Sequence, residues 1–155
     1  MSDNASSLPL REQIAPERTW NAPTVFPNRG AWEAATGEVL ALLPEARKFA
    51  GKLAESPQTL ADFIELADKI QRQAMKIYFY AAMESACNAL DSEAVSMSDK
   101  AGGIFGQSMA SMSFLDPELI AIGQTTLTTW MAQEPRLAHY TQYVDNLFRR
   151  QKHVR

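Results

Sequence analysis

Few side chains in this 155-residue chain are suited to chemistry, and their spacing builds no site. His139 and His153 stand fourteen residues apart. That spacing does not put them on one helical turn, and no Cys or carboxylate completes a tetrahedral metal set. The His-Glu-x-x-His pattern, in which two His bind zinc and the Glu serves as base, does not occur. Cys87 is the one thiol, and a thiol nucleophile needs a neighbouring base or positive field. No such residue adjoins it, which favours a buried structural Cys on or beside the apolar stripe of a long helix. Gly102-Gly103-Ile104-Phe105-Gly106 lacks the preceding strand and the Lys-Ser/Thr ending of a phosphate-cradling loop. The expectation is no catalytic, no cofactor-binding and no metal-ligating residue in this chain.

Three residue sets are less specific. Met75, Met83, Met97, Met109, Met112 and Met131 suit either an adaptable peptide groove or, as helical spacing favours, core filler. Tyr78, Phe79 and Tyr80 point about 100° apart on a helix. Either one of them faces outward or toward another domain, or the helix is buried on two sides. Arg149, Arg150, Lys152 and Arg155 form a small basic tail with too few readers for nucleic acid. A solvated helix end, or a salt-bridge face toward further sequence, is the favoured reading.

Composition bounds the class. Net charge is −3, hydrophobic residues are 46% and charged residues 21%. These are ordinary values for a soluble domain and give no electrostatic case for nucleic acid or an anionic membrane. Met1 to Leu10 lacks a secretory apolar stretch, and no apolar run approaches the roughly 20 residues needed to span a bilayer. A lone Cys fits a reducing compartment. The expectation is a cytoplasmic protein, disordered through residues 1–7.

The elements that must position these residues read as helices. Residues 8–28, with Pro9, Pro16, Pro23 and Pro27, predict an extended arm with one turn at Leu10–Ile14, pinned by Trp20, Val25 and Phe26. The body, 29–155, follows. Asn28 caps a helix whose apolar face runs from Trp32 to Leu53, kinked or briefly broken at Pro44. Ser56-Pro57 starts the longest helix, about 57–89. Asp91-Ser92 caps a helix to about Phe114, with Val95, Met97, Ala101, Ile104/Phe105, Ser108, Met112 and Leu115 inward. Gly102, Gly103 and Gly106 predict either a tight helix crossing or a break there. Asp116-Pro117 opens a short helix to Ile122, the segment Gln124–Gln133 continues as helix, and Glu134-Pro135 begins the last, on Leu137, Tyr140, Tyr143/Val144, Leu147 and Phe148. The fold class is all-α, with five or six mostly antiparallel helices.

Several stretches, in order, resemble the N-terminal region of oligoendopeptidase F, a zinc metallopeptidase of the thimet-oligopeptidase-like group. They are Arg18-Thr19-Trp20-Asn21, Val25-Phe26-Pro27, Ala31-Trp32-Glu33, Phe49-Ala50-Gly51-Lys52-Leu53, Ile77-Tyr78-Phe79-Tyr80-Ala81, Ser113-Phe114-Leu115-Asp116-Pro117-Glu118-Leu119-Ile120, Leu137-Ala138-His139-Tyr140 and Leu147-Phe148-Arg149-Arg150-Gln151-Lys152-His153-Val154. The likeness runs from about Leu8 to the end.

The resemblance implies a parent enzyme that cuts short peptides with zinc held by a motif far downstream. No catalytic or zinc-binding residue of that family maps onto this chain. It also implies that these helices form one wall of a substrate channel, with a missing catalytic domain of the same polypeptide as partner and oligopeptides as the parent's substrates. A last helix without a closing Gly or Asn suits a chain cut before that domain, and an exposed docking face would then permit weak self-association. The alternative is a free-standing helical protein-interaction module.

Overall fold

A computed structural model describes Pro9 and residues 13–151. The expected disordered residues 1–7, most of the turn expected at Leu10–Ile14, and Lys152, His153 and Arg155 of the basic tail lie outside the described residues. The described residues form an all-α fold. Six α-helices follow in order: α1 Arg29–Arg47, α2 Pro57–Cys87, α3 Ser92–Ser111, α4 Leu115–Ile122, α5 Gln124–Gln133 and α6 Thr141–Gln151. Short 3-10 turns occupy Pro16–Arg18, Ala22–Thr24 and Pro135–Tyr140.

The starts of the first three helices follow from local chemistry. Each cap side chain accepts backbone N–H bonds that the first helical turn leaves free. Asn28 accepts from Ala31, Ser56 from Thr59, and Asp91 from Glu93 and Ala94. Pro57 adds a pre-set first helical residue to α2. At 31 residues, α2 is the longest element, roughly 46 Å at 1.5 Å per residue.

The α2–α3 contact is the most extensive in the molecule, and α1 packs on both. Direction is set by cross-links. Arg29, in the first turn of α1, meets Asp91 at the cap of α3 at 2.5 Å and also pairs with Glu93. So α1 and α3 start together. The buried Trp32 indole N–H donates to the Ile77 carbonyl near the far end of α2 at 3.0 Å. Phe63, near the start of α2, packs on Phe114, just beyond the end of α3, with centroids 4.9 Å apart. Thus α2 runs opposite to both. The core is the inward stripe of α2, from Leu60 through Phe63, Ala67, Ile70, Ala74 and Ile77 to Ala81, closed by Trp32, Val39, Leu43, Ala101 and Ile104. Helices α4 to α6 pack mainly on one another and against the first half of α2.

The residues ahead of α1 lie against the second half of α2. Phe26 is buried and meets Tyr80 edge-on at 5.2 Å, Trp20 lies 5.7 Å from the same ring, and the Lys76 ammonium sits 4.6 Å over Phe26.

Several element boundaries differ from the sequence reading. The first helix does not break at Pro44; it continues one turn to Arg47. Pro44 and Leu40 are both exposed, so the Leu40 carbonyl that loses its i+4 donor faces water instead. The apolar face from Trp32 to Leu53 is not one helix either. Turns follow Arg47, and Gly51 takes a φ of 78°, open to glycine at little cost. The long helix stops at Cys87, and Asn88, placed on its inward stripe, is exposed.

In α3, Val95 is exposed while Ala94 and Ser111 are buried, and the helix ends at Ser111 rather than Phe114. Its glycines neither break it nor form the crossing. A Cβ placed at Gly102, Gly103 or Gly106 meets no atom within 4 Å. The small buried residues are Ala94, Ala101, Ser108 and Ser111, with both Ser108 and Ser111 hydroxyls bonded back to helix carbonyls. Helix α4 begins at Leu115, so Asp116 lies inside its first turn and is not its cap. Glu134-Pro135 opens a 3-10 turn, and the last helix begins only at Thr141.

Candidate functional site

Three cross-links hold the α4–α6 layer, one to the turns that precede α2 and two to α2 itself. The Glu118 carboxylate on α4 accepts from the backbone N–H of Gly51 at 2.6 Å and of Leu53 at 3.2 Å. Arg136 donates to Asp62 at 2.7 Å, to Glu65 at 3.2 Å and to Glu134 at 3.1 Å. That set of carboxylates raises the Arg136 guanidinium further above its ordinary pKa, with the bond to Glu134 the largest cause. In turn Arg136 holds the Glu134 carboxyl below its ordinary value. Third, the Tyr140 hydroxyl donates to Asp68 on α2.

Between these ties the layers leave a cleft of about 470 Å3. Its floor is Ile64 and Ala67 of α2 with Met109 and Met112 from α3 and its end. Leu115 and Asp116 of α4 close one side, and Tyr140 and Tyr143 overhang it. Two tyrosine–carboxylate pairs mark its rim: Tyr140 with Asp68, and Tyr143 with Asp116. Burial and then the carboxylate bond push both tyrosines up to about 12. At neutral pH both are therefore hydroxyl donors that fix their carboxylates in place. A shallower extension beyond Asp68 and Gln71 is lined by Arg72 and Met75.

The residues weighed for chemistry fall elsewhere. Cys87 is the last residue of α2 and is half-buried, and His139 is exposed in the turn before α6. Among the described residues no three His, Cys, Asp or Glu side chains converge as a metal seat. Of the methionines, Met97 is buried, Met112 and Met131 are half-buried, and Met75, Met83 and Met109 are exposed. Core filling therefore accounts for only part of the set. Of the three consecutive aromatics, Tyr80 is buried, Tyr78 is half-buried against Phe105, and Phe79 is 56% exposed. Arg149 and Arg150 are exposed at the end of α6.

Spacing gave no sign of Asp68, Asp116, Glu118 or Arg136. Each acts on a partner at least 27 residues away in sequence, and only the packing of α4–α6 on α2 brings them together.

Residues 118–155 match the family model described as Oligopeptidase F. Oligopeptidase PepF of Bacillus subtilis (strain 168) is 29% identical over 150 residues, covering 97% of this chain. The chain matches the N-terminal region of the oligopeptidase F family. Group B oligopeptidase PepB of Streptococcus agalactiae (serotype III, strain NEM316) is 26% identical over 154 residues, covering 99% of this chain. The chain spans 22% and 25% of the length of these two relatives. A crystal structure of a candidate peptidase from Chlamydophila abortus superposes with a TM-score of 0.76 over 92% of this chain and 24% of its own, at 19% identity. That likeness speaks for the fold alone. None of its described helices is long and apolar enough to cross a membrane.

Proposed function

We propose that this chain is the non-catalytic N-terminal helical region of an oligoendopeptidase F-like zinc metalloendopeptidase acting on short peptides in the cytoplasm. The observation that carries the reading is the pair of oligopeptidase relatives, each aligned over nearly all of this chain but about four times its length. In this proposal the remaining length holds the zinc and the reacting groups. No convergent ligand set exists among the described residues here, so no chemical step is assigned to them.

The role proposed for these helices is to form one wall of the substrate channel and to dock the catalytic domain of the same polypeptide. Exposed apolar side chains support it. Met75, Phe79 and Met83 recur every four residues on α2 and are all exposed. Such a face is ordinarily covered in a complete protein. Left uncovered, it would also drive weak self-association.

The test is a reading of the gene beyond Arg155, followed by co-expression of whatever it encodes with this chain. The expected result is an open frame carrying His-Glu-x-x-His. The isolated chain should cut no oligopeptide with added zinc, and the two parts together should cut them. A stop codon directly after Arg155 would overturn the reading and favour a free-standing interaction module.

A further inference from the structure

The pair of helices α2 and α3 is covered on one side and bare on the other. On the covered side Lys100 of α3 pairs with Glu33 of α1 and lies 5.7 Å over the Trp32 ring. Trp20 and Phe26 rest on Tyr80 of α2. On the bare side Tyr78 of α2 meets Phe105 of α3, with centroids 5.7 Å apart. Beside that contact Met75, Phe79 and Met83 run along α2, Leu90 is 89% exposed in the turn between the helices, and Val95 stands in the first turn of α3. With Met109 these make six of the eight large apolar side chains exposed among the described residues. The exposure therefore belongs to this helix pair and not to the surface at large.

The α3 wall of the same side is low. Gly102, Phe105, Gly106 and Met109 share a face at steps of three and four. A Cβ at either glycine meets no atom within 4 Å. Glycine in a helix interior is costly against alanine, and nothing among the described residues uses the space that it leaves. Small residues at such positions let another backbone approach closely.

Length points to the occupant. This chain spans 22% and 25% of its two oligopeptidase relatives, so the greater part of each lies outside the match. From Gln71 to Ala86 the bare side of α2 measures roughly 22 Å, or about four helical turns. A helix bonds its own backbone internally, so it can cover an apolar face without stranding N–H groups there. We propose that the bare side of α2 and α3 seats an amphipathic helix of about four turns from the part of the same polypeptide that follows Arg155. Its apolar side chains lie along Met75, Phe79 and Met83, and its backbone approaches α3 over Gly102 and Gly106. The seated helix mirrors α1 across the pair. This rests on the reading of the chain as one region of a longer peptidase, and adds which face docks and what element it takes.

The test treats the isolated chain and the full-length gene product with dilute hydrogen peroxide and follows each methionine by peptide mass spectrometry. Both are held at about 1 μM, where a weak self-association is dispersed. In the isolated chain Met75 and Met83 should oxidise well ahead of the buried Met97; in the full-length product both should slow by about tenfold. Gly102→Leu and Gly106→Leu form the second arm. Each has room in the isolated chain, so its melting temperature should not fall. In the full-length product each should restore fast oxidation of Met75 and Met83, whereas Gly37→Leu, equally open on α1, should not. A full-length product that cuts oligopeptides yet leaves Met75 and Met83 fully reactive overturns this proposal and leaves the parent reading standing. Protection that survives both leucines also overturns it, because the cover then lies off the glycine wall. Protection already present in the isolated chain assigns the face to a second copy and overturns it as well. A stop codon after Arg155, seen in the gene alone, removes the parent reading and this proposal together.

Discussion

Replacing Glu118 with Ala removes one carboxylate and strands two backbone N–H groups some 65 residues away. The two do not count equally. Gly51 is exposed, so water replaces its lost acceptor at little cost. Leu53 is fully buried, and its N–H at 3.2 Å is part-buried. A hydrogen bond to a charged group contributes about 1.5–3 kcal/mol net, and an orphaned buried donor costs about 1–3 kcal/mol. Counting mainly the Leu53 bond, Glu118→Ala should destabilise the chain by about 2 kcal/mol. For a chain of this size that is a fall in melting temperature of roughly 4–8 °C. Glu118→Gln keeps one acceptor oxygen and should lose about half as much. Urea unfolding followed by helical circular dichroism gives the free energies, and amide hydrogen exchange at Gly51 and Leu53 locates the loss. If Glu118→Ala lies within about 0.5 kcal/mol of the parent chain, or if exchange quickens elsewhere but not at these two amides, the clip has no energetic weight. The consequence reaches the cleft, because Glu118 sits on the same short helix as Leu115 and Asp116.

Other outcomes follow from the same structure. Gly103→Ala should stabilise the chain by about 0.5–1 kcal/mol, since the site is exposed, mid-helix and open to a Cβ; calorimetry showing a loss would mean that α3 is strained there. Phe63→Ala should cost about 3–5 kcal/mol in urea unfolding, because the ring is fully buried between Phe49 and Phe114. Tyr140 and Tyr143 ionise near 12 when folded, against 10 ordinarily. The folded state therefore holds those protons more tightly, and the stabilisation is complete below pH 10 and lost as pH rises toward 12. Ultraviolet titration of phenolate should show two late-ionising tyrosines, and Tyr140→Phe should remove one of them. Asp91 runs the other way: the Arg29 bond lowers its pKa, so its contribution is present above the ordinary carboxylate range and disappears as pH falls through its folded value. Asp91→Asn should flatten the acid limb of stability against pH.

What could be read in the chain was what depends on neighbours in sequence. Asn28, Ser56-Pro57 and Asp91-Ser92 start helices because each cap bonds an N–H two or three residues on. The stripe from Leu60 to Ala81 is inward because three- and four-residue steps keep one face. The misreadings came where tertiary packing decides. Pro44 was expected to kink or break α1, and the break does not occur, because a proline in the last turn on an exposed face costs only one backbone bond. The glycines of α3 suggested close approach, yet they face open space and the buried small residues are Ala and Ser. Asp116 has the sequence of a cap, yet Tyr143 takes its carboxylate after α4 begins one residue earlier.

The cleft was illegible for the same reason that makes it a candidate site. Asp68 is an unremarkable carboxylate on a helix, and Arg72 one turn on would ordinarily neutralise it as an i,i+4 pair. The Tyr140 hydroxyl, brought from 72 residues away, takes one oxygen of Asp68 instead, and Arg72 stays free of the described carboxylates. Asp68 is thereby tied to the turn before α6 and not to its own helix. Tyr140→Phe tests the point. Released from the tyrosine, Asp68 should close on Arg72, and urea unfolding should show a loss of about 1–2 kcal/mol; an unchanged midpoint would mean that the tie between α2 and the turn before α6 carries no weight.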